Sequence, residues 1–250
     1  MKKIALVTGA TSGIGKAIAQ ELADNYSLII CGRRKERLDA LQKELETKTE
    51  ITTLSFDVGN NEDVKKAITS LPENWKAIDV LVNNAGNAHG LSPIHEGDVA
   101  DWDTMIDSNL KGLLYVSRAV SPGMVQRKTG HIINISSIAG KEVYANGNVY
   151  CASKFGVDAA SYGMRLDLNA HNVRVTTVNP GLVNTEFSDV RFKGDKEKAG
   201  KVYNGFDPLQ AKDIADVVRF ILERPSNVCI TEINVLAGAQ AAATTVNRQL

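Results

Sequence analysis

The sequence predicts an α/β fold: a single doubly wound domain over residues 1–250, with a mostly seven-stranded parallel sheet and helices on both faces. Three observations carry that prediction. Short apolar runs alternate with amphipathic helical stretches along the chain, and strands alternating with helices imply right-handed crossovers and a sheet covered on both sides. A glycine-rich turn joins the first strand to the first helix. The 250 residues, 43% of them apolar, suffice to bury one sizeable core without a linker.

Ile4-Ala-Leu-Val-Thr8 is an apolar run bounded by glycine, as a strand buried on both faces would be. Ile14, Ala17, Ile18, Glu21 and Leu22 follow at helical spacing, and the pattern ends at Asp24-Asn25. Ser27–Cys31 is the second strand, and a helix over Lys35–Leu45 turns Leu38, Leu41 and Leu45 inward. Ile51–Phe56 reads as a strand, the stretch near Glu62–Thr69 as a helix, and Ile78–Val82 as the fourth strand. A long helix is expected from Trp102 to about Gln126, then a strand over 131–135, a helix from Val149 to about Asn169 and a strand over Val173–Val178. A last helix around Ile214–Leu222 and a strand over Val228–Ile233 complete the alternation. Only Leu182–Asp207, rich in Lys, Gly and Asp, lacks periodicity. It follows Asn179-Pro-Gly181 at a strand's carboxyl end, so it reads as an active-site lid.

Between first strand and first helix, Gly9, Gly13 and Gly15 permit a tight turn, approach of backbone to a pyrophosphate, and close packing of helix on strand. The spacing, G-x-x-x-G-x-G, differs from the usual dinucleotide fingerprint. A second constellation lies in Ser137–Lys154. Tyr150 and Lys154 are four residues apart, on one face of a helix, and an ammonium that close is expected to pull the phenol's pKa below its usual ~10. Tyr150 would then serve as a general acid/base. Ser137 follows the apolar run His131–Ile135, at a strand end where a hydroxyl can face a substrate carbonyl.

Lys plus Arg and Asp plus Glu are 29 each, so no net field recommends nucleic acid or an anionic membrane as a partner. Cys31, Cys151 and Cys229 are odd in number and scattered, as reduced thiols of a cytoplasmic protein would be. The start of the chain has no signal-peptide core, and no apolar run approaches a membrane span. His89, His95, His131 and His171 show no metal-ligand spacing and read as structural or solvated, and Cys151 reads as packing.

Thr8-Gly-x3-Gly-x-Gly15, Asp57-Val58, Asn83-Asn-Ala-Gly86, Asn109, Ser137, Tyr150-x3-Lys154 and Asn179-Pro-Gly181, in that order, resemble the short-chain dehydrogenase/reductases, with their Rossmann-type sheet. Within that family, Asp101–Asp107, Gly147–Tyr150 and Val190–Asp195 resemble NADP-dependent dehydrogenases of 3-hydroxy acids such as serine, L-allo-threonine and 3-hydroxyisobutyrate. The resemblance implies a catalytic set. Tyr150 would exchange a proton with the substrate oxygen, Lys154 would hold the nicotinamide ribose, Ser137 would hydrogen-bond the reacting oxygen, and Asn109 would position a water that links Lys154 to solvent. It further implies cofactor contacts from Gly9, Thr11, Ser12, Gly13, Ile14, Gly15, Arg33, Arg34, Asp57, Val58, Asn83, Ala85, Gly86, Tyr150, Lys154, Pro180, Gly181, Val183 and Thr185.

Cofactor choice has its own signal. Where NAD enzymes of this architecture place an acid after the second strand, this chain has Gly32 followed by Arg33-Arg34, which would chelate a 2′-phosphate. NADP(H) is therefore expected. The small-molecule substrate is expected to anchor its carboxylate on Arg191, the lid cation flanked by apolar Val190 and Phe192. Reduction of another ketone class (acyl-carrier-bound, sugar or ring) is the alternative, and a non-catalytic NADP-binding regulator is disfavoured by the intact Asn-Ser-Tyr-Lys set. The family's habit implies a homotetramer built through the helices that begin near Trp102 and Val149, whose Ala159, Ala160, Tyr162 and Gly163 would suit close packing across an interface.

Overall fold

The computed structural model describes residues 2–249. Its strands are β1 (Lys3–Val7), β2 (Tyr26–Gly32), β3 (Ile51–Ser55), β4 (Ile78–Asn83), β5 (Gly130–Ile135), β6 (Val173–Pro180), the short β7 (Val183–Asn184) and β8 (Leu209–Gln210), and β9 (Glu232–Val235). Its helices are α1 (Gly13–Leu22), α2 (Lys35–Leu45), α3 (Asn61–Thr69), α4 (Val99–Ile106), α5 (Gly112–Arg127), α6 (Asn148–Leu168), α7 (Phe187–Arg191), α8 (Lys196–Lys201) and α9 (Ala211–Leu222). Seven strands form one parallel sheet in the order β3-β2-β1-β4-β5-β6-β9, and β7 pairs with β8 apart from it.

The apolar runs become strands because both of their faces are covered. Leu6, Ile29, Leu81 and Ile132 bury one face against α3 and α5, while Val7, Leu28, Ile30 and Ile133 bury the other against α1, α2 and α9. Each fully buried Leu or Ile contributes about 1.5–3 kcal/mol. From β1 the chain winds outward to β3, then returns to the other side of β1 as β4. The carboxyl ends of β1 and β4 therefore diverge, and that crevice is where a ligand of such a sheet belongs.

Three expectations about elements are corrected. The last strand forms at Glu232–Val235, because the main-chain oxygens of Val228 and Ile230 are taken by the side chains of Arg174 (2.9 Å) and Thr176 (2.6 Å) before the ladder begins. The long helix after Trp102 begins at Val99 and is broken into α4 and α5 by a π turn at Asp107–Lys111. Within that turn Asn109 is pulled toward the loop after β4, its Oδ1 accepting from the Asn87 N–H at 2.7 Å. The segment 182–207 is built, not irregular. Helices of five and six residues are too short to show a period, and Tyr203 ties them down by hydrogen bonds to Ser188 (2.7 Å) and the Val183 carbonyl (2.9 Å).

Candidate active site

A cleft of about 680 Å³ opens at the carboxyl ends of β1 and β4. The glycine turn forms its floor. Gly9 has φ +66°, and a Cβ there would lie 2.9 Å from the Ala85 Cα. A Cβ on Gly15 would lie 2.3 Å from the Gly9 carbonyl, so only glycine lets α1 start this close to the strand. Ser12 stands at the N-cap of α1 without capping it, and the first turn holds no acid. The leading N–H groups are thus left for an anion, with the positive end of the helix dipole behind them. These features fit a dinucleotide's pyrophosphate.

Most of the residues implied as cofactor contacts line this cleft: Gly9 and Thr11–Ile14, Arg33, Arg34, Asp57, Val58, Ala85, Gly86, Tyr150, Lys154, Pro180, Gly181, Val183 and Thr185. Two do not. Asn83 is buried and donates to Ser117 and Asn134, both at 2.9 Å, so it belongs to a polar network inside the sheet. Gly15 lies under the turn against Asn84. The neighbouring Asn84, which sequence reasoning passed over, lines the cleft and clamps the turn through its amide to the Thr8 (3.0 Å) and Gly9 (3.3 Å) carbonyls.

Ser137, at the end of β5, and Tyr150 and Lys154, on the first turns of α6, converge on one wall. The Tyr150–Lys154 relation is not the one expected. Lys154 Nζ donates to the Ile135 carbonyl at 3.1 Å and stands 6.0 Å from the centroid of the Tyr150 ring. Burial pushes the phenol well above its ordinary value, the neighbouring Tyr144 adds to the rise, and Ser137 and Arg191 oppose it only in part. The shift in this structure thus runs opposite to the expected fall, since burial outweighs charge. Burial also pushes Lys154 down to about 8, with the Asp158 carboxylate pulling the other way. The wall thus presents a protonated phenol beside an ammonium that is easily discharged, a set able to give a proton to a developing alkoxide.

Asn109 lies outside the cleft lining and is buried. Its amide donates to the Asn87 carbonyl (2.8 Å) and to Ser153 (3.0 Å), which ties the π turn to the β4 loop and to α6. Both amide hydrogens are committed to protein. Its oxygen accepts from the Asn87 N–H, and the single hydroxyl hydrogen of Ser108 is nearer the Thr104 carbonyl (2.7 Å) than this oxygen (3.2 Å), so one lone pair is left for a water.

Arg191, the last residue of α7, lines the same cleft. Its guanidinium carbon is 5.6 Å from the Tyr150 ring centroid and 5.5 Å from that of Tyr144, and one Nη donates to the Tyr144 hydroxyl at 3.0 Å. Its Nε is buried, with no hydrogen-bond partner among the described residues. The flanking residues do not explain this inward turn, because Val190 remains 41% exposed. A hydrogen bond from Gly90 N–H to the Arg191 carbonyl (2.9 Å) and the Tyr144 contact hold it. Tyr144 and Phe187, whose ring meets Tyr150 edge-on at 5.8 Å, are cleft residues that no sequence pattern marked, since each sits in a loop or a five-residue helix.

At the far end, Arg34 is drawn onto the glycine turn, donating to Ser12 (2.7 Å) and Thr11 (2.9 Å), while Arg33 reaches Asp57 at only 3.5 Å. Both guanidiniums stand at the start of α2, where a cation is unfavourable without an anion to meet. Among the other candidates, His131 is buried against Thr176 (2.8 Å) and pushed down to about 3 by burial, and Cys151 packs beneath Tyr150 with Ala88 and Met105. Among the described residues no helix is long and apolar enough to cross a membrane.

Comparison with known proteins agrees with this geometry. The NADP-dependent 3-hydroxy acid dehydrogenase YdfG of Salmonella typhi is 50% identical over 242 residues, 96% of this chain and 97% of its own. Sulfoacetaldehyde reductase 2 of Chromohalobacter salexigens is 42% identical over 243 residues, 96% of each chain. The closed form of serine dehydrogenase complexed with NADP+ superposes with a TM-score of 0.92 at 46% identity, over 98% of this chain and 100% of that one. A family model described as short chain dehydrogenase matches residues 3–196, which span the glycine turn, Ser137 and the Tyr150–Lys154 helix, and so the chain belongs to the short chain dehydrogenase family.

Proposed function

We infer that this protein is an NADP-dependent oxidoreductase that transfers hydride between the nicotinamide and the hydroxyl or carbonyl carbon of a small 3-hydroxy acid of the serine, L-allo-threonine or 3-hydroxyisobutyrate type. The observation that carries the reading is a guanidinium, Arg191, lining the same cleft as Ser137, Tyr150 and Lys154 and lying 5.6 Å from the Tyr150 ring centroid. A guanidinium this near the phenol supports a small substrate whose anionic group and reacting oxygen are only a few atoms apart. The names of the 50% identical dehydrogenase and of the serine dehydrogenase structure support the same substrate class.

The nicotinamide would supply the hydride chemistry. In the proposed division of labour, Ser137 holds the reacting oxygen and Tyr150 passes its phenolic proton to that oxygen as charge develops on it. Lys154 holds the ribose, while the glycine turn with the free N–H groups of α1 holds the pyrophosphate. Arg33 and Arg34 hold the 2′-phosphate, Asp57 and Val58 flank the adenine end, and the strip Pro180–Thr185 lies beside Ser137 at the other end. Asn109 fixes the β4 loop behind Lys154, and its remaining oxygen lone pair is where a water would join Lys154 to solvent. The segment 182–207 acts as a lid over this single domain, with α7 carrying Arg191.

A second reading is favoured by the sulfoacetaldehyde reductase relative. A sulfonate-bearing aldehyde would meet the same guanidinium, so both readings require an anion beside the reacting carbon. A spectrophotometric screen decides between them. With NADP(H), turnover of 3-hydroxy acids and their semialdehydes is expected to exceed that of sulfoacetaldehyde and of bulky uncharged ketones, and kcat/KM with NADP is expected to exceed that with NAD. A preference for an uncharged ketone, or an NAD value equal to or above the NADP value, would sink the reading.

The working form is proposed to be a cytoplasmic homotetramer. Phe155, Tyr162 and Leu166 leave a stripe of large apolar surface on α6, 41%, 60% and 65% exposed, and Ala159 lies on the same exposed side. Such a stripe suits a second copy. Light scattering is expected to report a tetramer at micromolar concentration, and Tyr162→Glu with Leu166→Glu to dissociate it. A monomeric wild type would refute the assembly.

A further inference from the structure

The corner of the cleft assigned to the 2′-phosphate contains a carboxylate that does not belong to the cofactor-binding half of the chain. Glu186 precedes α7, on the lid, and reaches back across the cleft mouth. One of its oxygens lies 3.0 Å from an Arg34 Nη, and the pair of oxygens lies 2.7 and 3.0 Å from Arg37 Nη1. Arg34 is consequently held on three sides, by Ser12, Thr11 and Glu186. The side chains of Glu186, Arg34 and Arg37 are 43–46% exposed, and ion pairs this exposed contribute little to stability. The consequence of the contact lies in what it competes with.

Charge decides the direction of that competition. Arg33, Arg34 and Arg37 against Asp57 and Glu186 leave a formal +1 at this corner. A phosphate monoester brings about −1.5 to −2 near neutral pH. With Glu186 in place the sum turns negative, so the carboxylate repels the incoming phosphate and occupies donors that it needs. Among the described residues no other lid side chain is hydrogen-bonded to Arg34, and Thr185, immediately before Glu186, already packs on Gly13 of the turn.

We propose that Glu186 competes with the 2′-phosphate for Arg34 and Arg37, so that the lid takes part in discriminating phosphorylated from unphosphorylated cofactor. The proposal rests on the reading of Arg33 and Arg34 as the 2′-phosphate site. Glu186 weakens NADP binding selectively and leaves the adenosine and pyrophosphate contacts alone. Its neutralisation sharpens the preference for NADP, where loss of a merely structural tie would blunt it.

Isothermal titration of the full chain with 2′,5′-ADP and with 5′-ADP, without turnover, tests this. The wild type is expected to bind 2′,5′-ADP more tightly than 5′-ADP. Glu186→Gln is expected to lower the Kd of 2′,5′-ADP about two- to fivefold, the scale of an exposed charge pair, and to leave that of 5′-ADP unchanged. Unchanged 5′-ADP binding also reports that the variant is folded. The same substitution in an Arg34→Ala, Arg37→Ala background is expected to have no effect on the 2′,5′-ADP to 5′-ADP ratio. If Glu186→Gln leaves 2′,5′-ADP binding unchanged or weakens it while the wild type discriminates, the role of Glu186 is overturned and the arginine site stands. If the wild type itself does not discriminate, the arginine site falls and the proposal with it.

Discussion

Tyr150→Phe is expected to lower kcat for reduction of a semialdehyde or ketone by about 10²–10⁴-fold, the usual contribution of a positioned proton donor, with a far smaller effect on the Kd of the cofactor. The substitution removes one oxygen from a buried ring and keeps its packing against Phe187 and Cys151, so the fold should tolerate it. The size of the effect follows from the environment of the phenol. Burial and the neighbouring Tyr144 hold its proton above the usual range, so at neutral pH the group is a donor waiting for an acceptor more basic than itself. An alkoxide forming at the substrate carbon is such an acceptor. Stopped-flow or steady-state oxidation of NADPH would measure the loss, and retention of more than about a tenth of the wild-type rate would show that Tyr144 or solvent supplies the proton.

The pH profile offers a separate check on the same wall. Because kcat/KM reports groups of the free protein, and Lys154 is pushed down to about 8 while Tyr150 is raised, the first group to lose its proton on the alkaline side is the lysine. Below about pH 8 the ammonium is charged and able to hold a ribose hydroxyl. Above it the charge is lost while Tyr150 keeps its proton. The kcat/KM for reduction is therefore expected to decline from about pH 8 upward, and Lys154→Met should abolish that limb along with most of the activity.

What could be read from the sequence divides along physical lines. β1, β4 and β5 were legible because a strand covered on both faces must be a short apolar run, and α2 because three leucines at helical spacing face one core. The glycine turn and the Tyr150–Lys154 spacing were legible because each is a local requirement: a backbone approach that no Cβ would permit, and two side chains one turn apart. The failures come from long-range effects. Asn83 and Asn84 are identical in composition and adjacent, yet β4 turns one into the sheet and the other onto the turn, a distinction of pleat that spacing alone does not carry. The pKa of Tyr150 depends on how many atoms surround it, which the lysine four residues on does not reveal. Tyr144 and Glu186 act through partners 47 and 152 positions away, and neither lies in a periodic element. The π turn at Asn109 is likewise decided elsewhere, by an asparagine main chain 22 residues earlier.

Arg191→Ala is expected to raise KM for a 3-hydroxy acid or its semialdehyde by roughly ten- to a hundredfold, the equivalent of about 1.5–3 kcal/mol of charged hydrogen bonding. The proposed anchor is a guanidinium held in place. One Nη is fixed by the Tyr144 hydroxyl, its face rests near two phenol rings, and its buried Nε has no hydrogen-bond partner among the described residues. A carboxylate brought beside this guanidinium would find a charged partner, and burying that carboxylate unpaired would be costly. An uncharged aldehyde gains nothing from the guanidinium, so its KM should hardly change. Tyr144→Phe keeps the ring and releases the fork, and should raise KM for the acid more modestly, by about two- to tenfold, because the cation stays and only one of the contacts that position it is lost. Comparing kcat and KM for a carboxylate substrate and for an uncharged aldehyde of the same length separates reading an anion from ordering the lid. Equal losses on both substrates would assign Arg191 to the second role, through its main-chain tie to Gly90, and would leave the substrate's charge to be met elsewhere in the cleft.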